Sequence, residues 1–400
     1  MKVLYIIWEA FATEDVQQEL LRRGYEVDHH QVSRKENTDS NQRIEQELIR
    51  KISEAKYDFV FSWNFLPVVS IACNVCKIPY AAWIYDSPLR ALWHCTVVAP
   101  YNYVFIFDKA DYLELKRMGI DTVYYLPLAA SVERYDTYEM DQEIEEAYQT
   151  PISFIGSIYT ENKFTLYKGL NWLDNYAKGY VDGIMMAQKY VYGNLIMEDM
   201  LTPDIMDKLK EIYGGEGNPD DKFPYKKYIG QVVLPRYITA MERQEILAML
   251  SERYPCHLYT HRKTPALPHI INRGSAANLK EACYIFRCSK INLNITLRSI
   301  RAGIPLRAFE IMGSGGFLLT NYQEDYLDYF EPGVDFVYYD SYKDLLEKTE
   351  YYLTHEEERR YVAKNGYEKV KKYHTYKNRF DTMIEVMGLQ EKEESDAEMR

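Results

Sequence analysis

Apolar residues arrive in short runs separated by amphipathic stretches from the start of the chain. Residues 2–7 form an apolar run, 14–23 read as a helix, and 24–28 restart an extended segment behind the helix-ending Gly24. The same rhythm predicts a charged helix over about 42–55, a strand over 57–62, an apolar helix over 66–76 and a strand over 80–85. Residues 104–107 and 123–126 supply two more strands, with a helix over 111–118 between them. Strands alternating with helices indicate a parallel sheet covered on both faces.

The acidic, Tyr-rich stretch 133–149 interrupts this rhythm before residues 151–156 restart it. A domain boundary is expected there, giving an N-terminal domain over 1–140 and a C-terminal one over 150–375. Residues 164–253 read mainly as amphipathic helix, broken by a Gly/Pro/Asp-rich stretch at 214–221, and so predict a helical insertion in the C-terminal domain. Strands return at 256–260, 269–272, 290–294, 317–319 and 336–339. Helices over 343–353, 356–373 and 378–387 follow, with 376–388 set apart as a C-terminal helix and 389–400 as a disordered acidic tail.

The chain has 400 residues, which exceeds the size at which one hydrophobic core usually stops growing, so two domains suit it. A formal charge of -12 argues against nucleic acid or anionic lipid as a partner, since both need clustered Lys and Arg. No stretch approaches the roughly 18 uninterrupted apolar residues of a membrane span, and no signal-peptide cleavage pattern follows the first run, which Glu9 interrupts. A cytoplasmic protein is expected. Six scattered cysteines fit a reducing compartment. Cys73 and Cys76 form a C-x-x-C pair, but no second pair accompanies it, and a buried helix face suits them better than a metal site.

Ligands of open α/β sheets bind beyond the carboxyl ends of strands, which directs attention to three loops. The first, after 152–155, carries Gly156 and Ser157, where a backbone can approach a phosphate closely. An ordinary tight turn fits the same residues. The second follows 291–294 and runs from Gly303 to Gly316. Pro305 suits a helix start, and the helix is expected to run to about Met312. Its free amides and positive dipole end would seat a diphosphate, with Arg307 adding charge. Glu310, one turn on, suits the two hydroxyls of a ribose. Arg307 and Glu310, three apart, equally fit a plain helix-surface ion pair. Gly315 lies in the turn to the next strand and is counted among the nucleotide contacts, with Asn294, Thr296 and, before Gly274, Arg273. The third loop holds Asp86 before Ser87 and Pro88. Its carboxylate suits a general base on an acceptor hydroxyl, a contact to sugar hydroxyls, or a turn initiator. His94 is a second candidate base.

From about Phe154 to Tyr376 the chain resembles the CgeB-like spore-maturation glycosyltransferases, related to retaining transferases of the family 4 type. The resemblance rests on Ser153-Phe-Ile-Gly-Ser157, Ser289-Lys-Ile-Asn-Leu-Asn-Ile-Thr296, the Gly303 to Gly316 segment and Glu331-Pro-Gly333, in that order. The N-terminal half matches through its topology and Trp83-Ile-Tyr-Asp-Ser-Pro88. It implies a GT-B arrangement, two Rossmann-like domains facing across a cleft, with a nucleoside diphosphate sugar on the C-terminal domain and an acceptor on the N-terminal one. It assigns Glu310 to the ribose and the Gly156 loop and helix start to the diphosphate. No metal and no cofactor beyond the UDP-, GDP- or TDP-linked co-substrate are implied. The acceptor, whether glycan, protein or small molecule, is open. Ala302 stands where many retaining relatives carry a second glutamate, which leaves the stereochemical outcome open as well. A sugar-nucleotide epimerase or hydrolase and a non-catalytic spore or surface protein are the competing readings.

Overall fold

The computed structural model describes residues 1–8, 12–33, 41–160, 162–214 and 223–390. Glu9, most of the predicted break at 214–221 and the acidic residues 391–400 lie outside them. The chain divides into two units, Met1–Pro127 with Tyr376 onward, and Leu128–Thr375.

The first unit alternates strand and helix as follows: β1 (Lys2–Ile7), α1 (Thr13–Arg22), β2 (Glu26–Gln31), α2 (Gln42–Ala55), β3 (Phe59–Trp63), α3 (Pro67–Cys76), β4 (Tyr80–Ile84), β5 (Asn102–Ile106), α4 (Lys109–Arg117) and β6 (Val123–Tyr125). Capping follows the local chemistry. Gly24 takes a positive φ of 70° just after α1, and Asn41 accepts from the Ile44 amide at the start of α2. All six strands are parallel in the order β2-β1-β3-β4-β5-β6. β3 and β4 are buried along their whole length, and Trp63 stacks on Trp83 at 4.6 Å.

The second unit begins with α5 (Val132–Asp136), α6 (Gln142–Tyr148) and β7 (Thr150–Ile155). Residues 133–149, expected to separate the domains, are thus mostly helical and pack within this unit. Arg287 donates to the carbonyls of Tyr135 and Tyr138, and Tyr148 bonds Glu281. After a 3-10 run at Asn162–Trp172 come α7 (Asn175–Lys189), α8 (Met197–Met200), α9 (Pro203–Tyr213), α10 (Tyr225–Lys227), a π turn at Tyr228–Val233, and α11 (Leu234–Ser251). These helices share a hydrophobic core of their own, built around Leu170, Val181, Ile205 and Ile229. β8 (Cys256–Tyr259), β9 (Ile271–Asn272), α12 (Leu279–Cys288), β10 (Ser289–Asn294), α13 (Leu306–Gly313), β11 (Leu318–Asn321), α14 (Tyr326–Tyr329), β12 (Val337–Tyr339), α15 (Tyr342–Thr354) and α16 (Glu356–Tyr373) complete it. The second sheet is also parallel throughout, in the order β12-β11-β10-β7-β8-β9. Gly313 lets α13 pack tightly: a Cβ there would lie 2.7 Å from that of Ala130.

The last helix, α17 (Tyr376–Met387), returns to the first unit. Phe380 is fully buried 5.5 Å from the Phe61 ring, and Tyr376 meets Trp83 edge-on. Arg23 pairs with Asp381, and Arg379 donates to the carbonyl of Pro127. Among the described residues no helix is long and apolar enough to cross a membrane.

Candidate active site

The second sheet grows outward from β7 through β8 to β9, then restarts on the other side of β7 with β10, β11 and β12. The order reverses between β7 and β10, and a ligand crevice is expected beyond their carboxyl ends. The loop after β7 carries Gly156 and Ser157. The loop after β10 carries Thr296 and leads to α13, whose N-cap position is Pro305. Gly156, Ser157, Asn294, Thr296 and the start of α13 therefore share one end of the sheet. No side chain caps α13 among the described residues, and the Ala308 amide turns back to the carbonyl of Pro305 at 3.0 Å, so the amides of the first turn ahead of it are the ones a ligand could meet.

Arg243 of α11 binds these two loops together. It donates through Nη1 to the carbonyl of Ser157 at 2.5 Å and through Nε to that of Ile295 at 3.1 Å. Its guanidinium lies 5.1 Å from the Phe154 ring centroid and 4.8 Å from that of Tyr159, so it is stacked as well as hydrogen-bonded. The Gly156 amide is taken by the carbonyl of Tyr259. A Cβ at 156 would sit 3.3 Å from Phe154 and 3.7 Å from Arg243 Nη1, so a side chain would press on this joint.

Asn294 and Thr296 are buried and bonded inward. Asn294 Nδ2 donates to Oγ1 of Thr296 at 3.0 Å and of Thr320 at 2.9 Å, while the Thr296 amide donates to Asn321 Oδ1 at 2.7 Å. They shape the loop after β10 from within. Gln323 Nε2 donates to the carbonyls of Ile300 and Gly303, and the Asp325 amide to that of Ala302. A third tie is Arg298, which pairs with Glu242 through Nε and Nη2 at 2.7 and 2.5 Å and stacks 3.9 Å from the Tyr192 centroid. Burial works against the Arg298 charge, but the Glu242 bonds outweigh it and raise its pKa above the ordinary value.

On α13, Arg307 Nη1 meets Glu310 Oε2 at 2.6 Å, the intrahelical ion pair that their spacing allows. The Glu310 side chain is the more buried of the two, at 13% exposure against 34%. Arg273 stands apart, beyond the edge strand β9, and its Nη2 donates to the carbonyl of Ala147. Gly315 also stands apart: it follows the C-terminus of α13 with φ 85° and leads into the amino end of β11, a helix length from the switch point. A glycine after the helix is where the chain must reverse, and that places it opposite the loops above.

In the first unit the corresponding loops follow β3 and β4. Asn64, itself at φ 55°, donates through Nδ2 to Asp86 Oδ2 at 2.7 Å and accepts from the amides of Tyr85 and Asp86 through Oδ1. The Asp86 carboxylate is thus oriented by a neighbour. Ser87 turns inward to Asp111 at 2.7 Å. His94 is buried, and its Nδ1 caps a short 3-10 turn at the Thr96 amide, 3.3 Å away, with Thr96 Oγ1 at 2.9 Å. It is anchored in a structural turn. Trp8, which donates to the Trp63 carbonyl, stacks on Tyr85 beside this group. Sequence reading missed Arg243, which sits inside an amphipathic helix like any surface arginine, and Asn64, whose only signal is its place one residue after a strand.

Residues 242–385 match a family described as glycosyl transferase-like. No curated protein matches the chain in sequence. Among solved structures the chain is similar to HepE of Anabaena, determined with UDP and glucose, at 9% identity over 97% of this chain and 99% of that one, with a TM-score of 0.56. It is similar to sucrose-phosphate synthase from Thermosynechococcus elongatus at 10% identity over 96% and 98%, with a TM-score of 0.54. A glycosyltransferase from Rickettsia africae gives 10% identity over 96% and 97%, with a TM-score of 0.51. These likenesses establish the GT-B fold. Beyond the fold, residues 242–385 are similar to glycosyl transferase-like proteins.

Proposed function

We propose that the chain transfers a sugar from a nucleoside diphosphate sugar, without a metal ion, to a hydroxyl-bearing acceptor in the cytoplasm. The observation that carries this reading is the convergence of the Gly156 loop, the loop after β10 and the uncapped start of α13 at the switch point of the second sheet. The diphosphate lies against the amides at the start of α13, with Arg307 supplying a full positive charge. Glu310 exchanges its bond to Arg307 for the ribose hydroxyls. As the glycosidic bond breaks, negative charge grows on the leaving diphosphate, and fixed dipoles and Arg307 oppose it there. Asp86, held by Asn64, takes the proton of the acceptor hydroxyl or holds the hydroxyls of a sugar acceptor.

UDP is the first base to test, because HepE was solved with UDP and glucose. The finer kinship with CgeB-like transferases rests on the quoted motifs and belongs to the same proposal. Titration of the full chain with UDP, GDP and dTDP, followed by incubation with the matching sugar nucleotides, tests it. Binding of one diphosphate and acceptor-dependent release of it support the reading. If none of the three binds, the reading falls; release of free sugar without any acceptor would point to a hydrolase instead. The anomeric configuration of the product decides between retention and inversion.

A further inference from the structure

At the amino ends of β7, β10 and β11, opposite the switch-point loops, the second unit encloses a hollow of about 770 Å³. Its lining is charged, and most of the charges already have partners. Arg287 is used by the carbonyls of Ser314, Tyr135 and Tyr138. Asp136 is held by Lys371 and Tyr367, and Glu356 by Arg360. Among the described lining residues, Lys290, Lys364 and Arg359 then remain against Glu145 and a share of Glu356.

Arg359 is the odd member of the set. Its side chain is only 11% exposed, and the carboxylate beside it, Glu356, is 4.0 Å away. Nη1 donates to the carbonyl of Lys290 at 3.1 Å, while the Nε–H is buried with no acceptor among the described residues. Burial lowers its pKa, Glu356 offsets part of that, and Arg360 adds to it. A buried guanidinium with an unused donor and surplus positive charge around it is costly, and an anion with several acceptor oxygens relieves both faults.

We propose that this hollow binds a small phosphorylated metabolite, with the phosphate on Arg359 and with Lys290 and Lys364 completing its neutralisation. Phosphate offers the acceptors that the fork of an arginine matches, and the volume leaves room for a sugar-sized body beside it. The site is separate from the switch-point loops and does not depend on the donor reading.

The test is calorimetric titration of the full chain, in a phosphate-free buffer, with glucose 6-phosphate and with inorganic phosphate. Glucose 6-phosphate is expected to bind at one site, more tightly than inorganic phosphate. Arg359→Gln should weaken it at least about tenfold and Lys364→Ala several-fold, whereas Glu310→Ala and saturating UDP should leave it unchanged. Lys364 is exposed, so its variant keeps the test valid if Arg359→Gln fails to fold. Absence of binding by both probes, unchanged affinity in Lys364→Ala, or displacement by UDP would overturn the proposal. Equal affinity for the two probes would overturn the assignment to a metabolite, leaving a place for phosphate alone.

Discussion

Arg307 Nη1 lies 2.6 Å from Glu310 Oε2, so the two groups assigned to a bound donor hold each other in the free protein. A half-buried helix pair at this spacing contributes on the order of a few tenths of a kcal/mol, too little to resist a ligand that offers each partner better bonds. Glu310→Ala should weaken UDP binding by about 2–4 kcal/mol, from the loss of two bonds to an ionised acceptor. Unchanged affinity by calorimetry would remove Glu310 from the site.

Arg307→Ala separates charge from base. It should weaken UDP but leave uridine unaffected, because only the diphosphate meets the guanidinium. Equal loss for both ligands would move Arg307 away from the phosphates.

Arg243 donates to the carbonyls of both Ser157 and Ile295. Arg243→Met keeps the bulk but removes the guanidinium bonds to the half-buried Ser157 carbonyl and the buried Ile295 carbonyl, at about 1–3 kcal/mol each. Arg243→Lys should recover little, since one ammonium does not reproduce the planar fork or the stacking on Phe154 and Tyr159. Urea denaturation reads this directly, and wild-type stability in Arg243→Met would refute the joint.

The Arg298–Glu242 pair gives a sharper contrast. Both side chains are under 10% exposed, so removing either one strands a buried charge and should cost about 3–5 kcal/mol. The double variant Arg298→Met, Glu242→Leu should be more stable than either single one. Additive losses would show that the two do not act as a pair.

His257 supplies a pH test. Burial lowers its pKa below the ordinary 6.5, Arg273 adds to the effect, and its Nδ1 is buried without a partner among the described residues. The unfolded chain takes up this proton near 6.5, the folded one only at lower pH. Below 6.5 the unfolded state therefore binds more protons, and stability falls as the pH drops through that window. The wild type should lose more stability than His257→Gln between about pH 7.5 and 5.5. Parallel losses would remove His257 as the cause.

Elements with strong local periodicity were readable from the chain alone. The strand at 2–7 and the helix at 42–55 have the predicted bounds, and α13 starts after Pro305 as its chemistry suggests. Weakly patterned edges were harder: of the strand expected over 269–272, only Ile271–Asn272 pairs, at the exposed end of the sheet. Residues 133–149 look like a linker because their partners, Glu281 and Arg287, lie more than a hundred residues away. Arg243 and Asn64 bond largely to backbone, which carries no side-chain signature. The pairing of Arg307 with Glu310 was visible as an alternative; its coexistence with an uncapped helix start was not.

The return of α17 to the first unit has a bearing on how the chain is made. Phe380 and Tyr376 fill the core around Phe61 and Trp83, yet they are synthesised after the whole of the second unit. On the ribosome, the second unit has all its own residues first, while the N-terminal sheet waits with an apolar face uncovered. Birth order and completion order are therefore reversed: the sheet made first is the one finished last.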